Sequence, residues 1–182
     1  LDSTDRSAFD EMVDAHARAL LRTAYLLTGD AHLAEDLLQT ALVKTWTRWR
    51  SIRDTDRAAA YVTRVMATTC TGWWRRRWRA EVPTRDLPEV TAAADAYAGV
   101  DRRDEIGRAL AVLTPRQRAT VVLRFYEDLP EAEVATALGC SVGTVKSTTS
   151  RALASLRDAM AARPAPTAQR PAPATQTRKD PA

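Results

Sequence analysis

Apolar residues recur at spacings of three, four and seven through most of the chain, and no stretch alternates apolar and polar as a half-buried strand would. Phe9, Val13, Leu20, Ala24 and Leu27 mark a first long helix that ends at Thr28-Gly29. Asp30 is placed to cap a second helix whose core stripe includes Leu33, Leu37 and Ala41. The other side of that helix shows Glu35, Asp36 and Gln39, with Trp46 and Trp49 near its end. Ser51 to Asp56 reads as a loop. A further helix begins near Arg57 and runs into Trp73-Trp74-Arg75-Arg76-Arg77-Trp78-Arg79. Helical periodicity resumes at Arg103, with Asp101 as a cap and Ile106, Leu110 and Leu113 facing inward.

The stretch from Leu113 to Leu156 is the most sharply patterned. Thr114-Pro115-Arg116-Gln117 combines an N-cap Thr, Pro at the first helical position and Gln at the third, a capping box. The helix it opens carries Val121, Val122 and Phe125 toward a core. A second helix, Glu131 to Leu138, stops at Gly139, a residue suited to the left-handed turn at a helix end. Cys140 and Ser141 complete a three-residue turn, and Ser141 can cap a third helix starting at Val142. Helix, short Gly-containing turn, helix is the helix-turn-helix pattern. On the third helix Val145, Ala152, Leu153 and Leu156 form an apolar stripe, while Thr144, Ser147, Thr148 and Arg151 share a polar one flanked by Lys146 and Ser150. Short hydroxyls and one Arg can enter a major groove and reach base edges. The blander alternative is a small three-helix bundle with a polar exterior. It leaves the coincidence of caps, turn and split faces unexplained.

Two segments lack this patterning. Val82 to Gly99 has two Pro, scattered acids and small residues, the composition of a tether. After Arg163 the chain turns to Pro, Ala, Thr and Gln, which bury too little surface to offset their ordering entropy, so disorder is expected there. The expected organisation is therefore all-α. A first helical domain spans 5–80, an acidic linker 81–100, a helix-turn-helix (winged-helix-like) domain 101–162 and a Pro/Ala-rich tail 163–182.

Charge matters through its distribution. Lys and Arg outnumber Asp and Glu by only 27 to 23, too small an excess to announce a polyanionic partner. From Arg64 to Ala80, however, there are five Arg and no acid, and from Glu81 to Gly99 four acids stand against the single base Arg85. Adjacent blocks of opposite sign suit surfaces that meet different partners. Cys70 and Cys140 match no metal-ligand spacing and read as buried, reduced thiols. No run of 18 apolar residues is present to cross a membrane, and no secretory signal pattern opens the chain, so a cytoplasmic location is expected. No cofactor or metal is expected: His16 and His32 have no ligand-spaced Cys or carboxylate, and no Gly-rich phosphate loop occurs.

The Trp–Arg block admits three readings. Trp74 and Trp78 lie on one face and can pack on a neighbouring helix while the Arg side chains stay solvated. Alternatively, the Arg neutralise nucleic-acid phosphates while Trp stack on unpaired bases. A cationic Trp-rich helix can also lie at a membrane surface. The first two are mutually compatible, and the second agrees with the independent DNA-reading signal downstream. Some 20 tether residues reach at most ~65 Å when extended. One DNA turn is ~34–36 Å, so the two domains can serve sites more than a turn apart.

Four segments together carry a family resemblance: Ala34-Glu35-Asp36-Leu37-Leu38-Gln39, Trp73-Trp74-Arg75-Arg76-Arg77, Leu113-Thr114-Pro115-Arg116-Gln117-Arg118 and Val142-Gly143-Thr144-Val145-Lys146-Ser147. In order and spacing the chain resembles a bacterial RNA polymerase sigma factor of the extracytoplasmic-function, sigma-70-related type. The nearest resemblance is to a subgroup bearing the same Trp–Arg block. The resemblance implies a protein without catalytic activity that binds polymerase core and directs transcription initiation. Asp36, Gln39 and Leu42 match the docking surface for the β′ clamp helices, and the second domain implies a site for the β flap. Ile52, Arg53, Thr68, Trp73, Trp74, Arg75, Arg76 and Arg77 match the surface that melts and reads the −10 element. Thr144, Lys146, Ser147, Thr148 and Arg151 match the reader of the −35 element. An anti-sigma factor is a further partner the resemblance allows; membrane insertion is not.

The chain departs from the family pattern at Thr68, where Asn is common, and at Pro130, where a Ser N-cap is common. It departs again at Thr148 in place of a common Arg, and at Ser150 in place of a larger residue. Leu129 and Val134 can still form a hydrophobic staple around Pro130. With Thr at 148, −35 recognition rests more heavily on Arg151. The rival class is a stand-alone helix-turn-helix regulator that binds operators without polymerase. It would need a ligand pocket or dimer seam in the first domain. The Arg151→Ala substitution is expected to weaken specific promoter binding by about 1–3 kcal/mol in a filter-binding or anisotropy titration. Unchanged affinity and selectivity would count against the assignment of this helix as the reader.

Overall fold

The computed structural model describes residues 2–52, 57–80 and 101–162, without the side chains of 77–80 and 101–105. Arg53, the tether expected over 81–100 and the tail expected over 163–182 lie outside the described residues.

The first half is a three-helix unit. Helix α1 (Ser3–Thr28) opens with a capping box in which Asp2 accepts from the Asp5 amide at 2.8 Å and Asp5 accepts from the Asp2 amide at 3.2 Å. A hydrogen bond from the Arg50 guanidinium holds the Asp5 carboxyl below the usual carboxylate range. Helix α1 stops at Gly29, whose φ of 74° is left-handed, and the Gly29 amide donates to the Tyr25 carbonyl. Helix α2 (Ala31–Trp46) is capped by Asp30, which accepts from the Leu33 amide at 2.9 Å. A short 3-10 turn (Trp49–Ser51) leads towards α3 (Ala58–Ala80).

Leu20, Ala24 and Leu27 of α1 share a core with Leu37, Leu38 and Ala41 of α2 and Val62, Met66, Ala67 and Cys70 of α3. Each fully buried large apolar side chain there contributes about 1.5–3 kcal/mol. Phe9 meets the rings of Trp46 and Trp49 edge-on, both at 5.0 Å between centroids, closing the open end of the unit. Burial pushes the Cys70 thiol up to about 12, so it stays neutral and behaves as a small apolar side chain.

The second half has α4 (Asp101–Ala111), α5 (Pro115–Val121), α6 (Glu131–Leu138) and α7 (Val142–Ala161). The capping box of α5 is present in both directions: Thr114 accepts from the Gln117 amide at 3.4 Å, and Gln117 accepts from the Thr114 amide at 3.0 Å. Helix α6 has no side-chain cap at Pro130, but Leu129 and Val134 are both buried as a staple requires. Gly139 ends α6 at φ 59°, and Ser141 accepts from the Thr144 amide at 3.1 Å to start α7.

Several expectations are corrected. Helix α5 does not continue regularly but widens into a π-helical turn (Val122–Tyr126), closed by the Glu127 amide on the Val122 carbonyl at 3.0 Å. The extra residue in that turn rotates the face. Val122 and Leu123 are buried, while Phe125, expected inward, is 58% exposed. Leu33 is also exposed, because the buried stripe of α2 runs through Ala34, Leu37, Leu38, Ala41 and Thr45. Small Ala34 allows the close approach that Leu33 would obstruct. Ile106 is exposed, one turn before the buried Leu110. Cys140 is only half-buried. Among the described residues there is no strand to form a wing beside the helix-turn-helix.

The two helical domains also touch. One hydrophobic cluster runs from Met12 and Leu20 through to Val145 and Ala152, with α3 against α6 and α1 against α5.

Two glycines make opposite predictions. Gly72 lies inside α3, and a Cβ there would meet nothing within 4 Å. The Gly72→Ala substitution should stabilise the fold by about 0.4–1 kcal/mol. Gly139→Ala forces a Cβ into the left-handed region and should cost about 1–2 kcal/mol. Urea denaturation of the two variants checks both signs.

Candidate nucleic-acid interface

Helix α7 presents the expected polar face only in part. Arg151 is exposed; its carbonyl accepts from the Ser155 hydroxyl at 3.1 Å, while its guanidinium points to no partner among the described residues and is available to a ligand. Lys146 is exposed, with its ammonium 3.7 Å from the Glu131 carboxylate, a surface pair worth about 0–1 kcal/mol that is readily exchanged for a phosphate. Ser147 is exposed and donates to the Thr144 carbonyl at 3.1 Å. Thr144 is half-buried, its hydroxyl 2.9 Å from that of the capping Ser141. Thr148 departs from expectation: it is buried, 8% exposed. Positions 145, 148 and 152 follow one another at helical spacing, and all three face the core. A side chain on that stripe does not reach a base edge from this conformation.

The Trp–Arg block divides as well. Trp73 and Trp74 are half-buried and pack against the core cluster, as the structural reading has it for Trp74, whereas the Trp78 side chain lies outside the described residues. Thr68 is exposed and donates to the Arg64 and Val65 carbonyls at 3.1 and 3.0 Å, and Arg76 is exposed. Arg75 donates to the carbonyls of Leu138 and Gly139 at 3.2 and 3.3 Å. Those carbonyls belong to the turn of the helix-turn-helix. Ile52 is half-buried against the core at the end of the 3-10 turn. Arg53 and the Arg77 side chain lie outside the described residues.

On α2, Asp36 and Gln39 are exposed, and Leu42 is half-buried against the core. Two apolar side chains join that outward face: Leu33, 43% exposed, and Val43, 64% exposed. Val43 was not singled out in the sequence, although it lies seven residues, two turns, from Asp36. An outward polar face with an apolar residue at each end is better suited to a protein partner than a purely charged one.

The periodicity also missed Arg118 and Glu127. Arg118 donates to the Thr28 carbonyl at 3.0 Å and to the Leu110 carbonyl at 3.2 Å, lying against Gly29, where a Cβ would fall 2.0 Å from its guanidinium. Glu127 accepts from the hydroxyls of Thr23 at 2.5 Å and Thr63 at 3.4 Å. Arg64 pairs with Glu133. A cleft of about 500 Å³ lies along the same seam, lined in part by Trp74, Arg75, Arg116 and Leu138. Among the described residues no group of three His, Cys, Asp or Glu could hold a metal, and no helix is long and apolar enough to cross a membrane.

A three-helix domain with a cationic third helix, joined to a helix-turn-helix domain, defines an all-helical protein of the DNA-binding class. Comparison with known proteins narrows this. A family model described as Sigma-70 region 2 matches residues 12–80, and one described as Sigma-70, region 4 matches residues 103–156. The RNA polymerase sigma-E factor of Streptomyces coelicolor is 49% identical over 155 residues, covering 85% of this chain and 87% of that protein. The ECF RNA polymerase sigma factor SigL of Mycobacterium tuberculosis is 36% identical over 151 residues, covering 80% and 85%. Among solved structures, the sigma factor RpoE from Bartonella quintana, in complex with the anti-sigma factor NepR, superposes with a TM-score of 0.60. It is 24% identical, covering 85% of this chain and 97% of that one, and supports the fold. The chain belongs to the sigma-70 family of RNA polymerase sigma factors, in its extracytoplasmic-function group.

The burial of Thr148 separates it from its neighbours in a direct way. Thr148→Val should leave affinity for a promoter duplex within a factor of about two, since it removes no outward group. Anisotropy titration with labelled duplex measures this; a tenfold loss would place the hydroxyl on DNA.

Proposed function

We propose that the chain seats on RNA polymerase core through the outward face of α2 and directs initiation at promoters through two DNA contacts, one from each domain. The observation that carries this is the co-occurrence of region 2 and region 4 in one chain, each bearing an exposed cationic or hydroxyl-rich helix. Asp36 and Gln39, with Leu42 beneath them and Val43 beside them, form the core-binding face. Lys146, Ser147 and Arg151, with Thr144 at the helix start, read the −35 duplex. Arg151 supplies the bidentate contact that favours guanine.

The surface for the −10 element runs from Ile52 and Arg53 past Thr68 to Trp73, Trp74, Arg75, Arg76 and Arg77. Arg neutralises phosphate there, and a half-buried Trp offers one flat face to a base. The chain adds positioning and DNA melting to a reaction that the polymerase catalyses, so it needs no catalytic group of its own. Its workplace is that of the polymerase, the cytoplasm. The domain limits that serve this division are 5–80 and 101–162, joined by the acidic segment 81–100 and followed by the tail 163–182. An anti-sigma factor is the partner proposed for restraint. The stand-alone regulator gains no support, since region 2 occupies the place where it would need a ligand pocket or dimer seam.

Reconstitution with polymerase core tests the proposal. The Asp36→Arg, Gln39→Ala double variant should lower core affinity about tenfold, equivalent to ~1.4 kcal/mol, in a pull-down or anisotropy assay. It should leave binding of a −35 duplex by the isolated chain unchanged. A chain that never captures core, or captures it without altering start-site choice, would sink the assignment.

A further inference from the structure

The cleft on the seam between the two domains has a chemistry that the proposed promoter contacts do not account for. Its volume of about 500 Å³ suits a site that encloses one small ligand, and such sites favour domain interfaces. One wall comes from α3, with Trp74 and Arg75; the other comes from Pro115 and Arg116 of α5 and Leu138 of α6. Trp74, Pro115 and Leu138 make the walls apolar and supply a flat ring. Among the described residues that line it there are two guanidiniums and no carboxylate. Such a lining repels a cation and gives a neutral polar molecule little to bind. It fits an anion with a flat, apolar body.

The two arginines differ in how they are held. Arg75 is fixed, because its Nη2 donates to the Leu138 and Gly139 carbonyls at 3.2 and 3.3 Å. Both bonds use one nitrogen, which leaves the donors on Nη1 and Nε for a ligand. Arg116 is exposed. Its carbonyl accepts from the Thr120 hydroxyl at 2.8 Å, and its guanidinium has no partner among the described residues. A fixed fork on one wall and a free one on the other can hold a phosphate from two sides, often through paired bonds. Fixing Arg75 in advance lowers the ordering cost of binding. A phosphate monoester carries about −1.5 to −2 charge at pH 7, a match for two guanidiniums. A carboxylate, with one charge, would need only one of the forks. Trp74 supplies the stacking face that flat side chains give to unpaired bases.

We infer that the cleft binds one free nucleoside monophosphate, with its base on Trp74 and its phosphate between Arg75 and Arg116. Size selects the monomer, since a strand would have to run out of the cleft at both ends. The inference goes beyond the proposed function, which places Trp74 and Arg75 on the −10 surface and gives Arg116 no part. A ligand that needs both walls also favours the arrangement that builds the cleft, in proportion to its occupancy.

Calorimetric titration of the full chain with adenosine monophosphate, inorganic phosphate and adenosine tests the site. The monophosphate should bind saturably in equimolar ratio, with a dissociation constant below about 1 mM. Phosphate alone and adenosine alone should each bind at least about tenfold more weakly. Arg116→Ala should weaken monophosphate binding about tenfold, through loss of one charge-assisted pair. Arg116→Lys should recover only part of it, because an ammonium lacks the planar fork. Binding should quench tryptophan fluorescence, and the quench should vanish in Trp74→Phe, which keeps a ring in the wall.

No saturable binding by the wild type, or equal binding by Arg116→Ala, overturns the site. Phosphate binding as tightly as the monophosphate, or a quench that survives Trp74→Phe, overturns the place given to the base. A labelled single-stranded oligonucleotide, titrated in parallel, separates this site from the promoter reading. Arg116→Ala should bind it within about twofold of the wild type. A loss there as large as the loss of monophosphate binding would make the cleft part of the strand's path and overturn the inference. A wild type that binds the monophosphate but no oligonucleotide would sink the −10 assignment and support the cleft as a separate site.

Discussion

The last carbonyls of a helix lack amides within it; an αL cap meets some of them, and the rest need another donor. In this protein that requirement arises at Gly29 and Gly139, and each is met by an arginine from the opposite domain. Hydrogen bonds to a charged donor contribute about 1.5–3 kcal/mol each. Arg118 is half-buried, and its partial burial shifts its pKa downward. Its place is secured because the Thr28 and Leu110 carbonyls replace the water it loses. These helix-end bonds add direction to the apolar contacts beside them, as the Glu127 and Arg64 contacts do.

That dependence links the fold to its purpose. The same αL glycine that makes the turn of a helix-turn-helix exposes the carbonyls that Arg75 occupies. Structure at the DNA-reading module is therefore coupled to the side chain proposed for the other promoter element. The outward face of α2 with Asp36, Gln39 and Val43 and the outward face of α7 with Lys146 and Arg151 stay exposed in this arrangement. The faces proposed for core docking and duplex reading are thus exposed, whereas Arg75 of the Trp–Arg helix is engaged.

Local signals were legible wherever the cause is local. Asp30, Thr114 with Gln117, Ser141 and both αL glycines act through backbone groups within four residues, and each does what its position implies. Cap residues and periodicity located the end of α1, the start of α2, both ends of α6 and the start of α7. It failed at Leu33, Ile106 and Phe125, in each case by assigning an apolar residue to a core it does not reach. Phe125 shows why. One π-helical turn rotates every later side chain by most of a residue step, and nothing in the local pattern announces the extra residue. Thr148 shows the reverse, a polar side chain that shares the inward stripe with Val145 and Ala152.

By itself the sequence determined most of the caps at which helices start or stop and the family to which the motifs belong, because capping, periodicity and motif spacing are written in neighbouring residues. Only the tertiary structure decided which exposed groups stay exposed. The partners of Arg118, Glu127 and Arg75 lie 90, 104 and 63 residues away, where no pattern of neighbouring residues points to them. A charge that could serve solvent, nucleic acid or a helix end is assigned by whichever low-dielectric surface the fold brings to it, and that surface is made by packing.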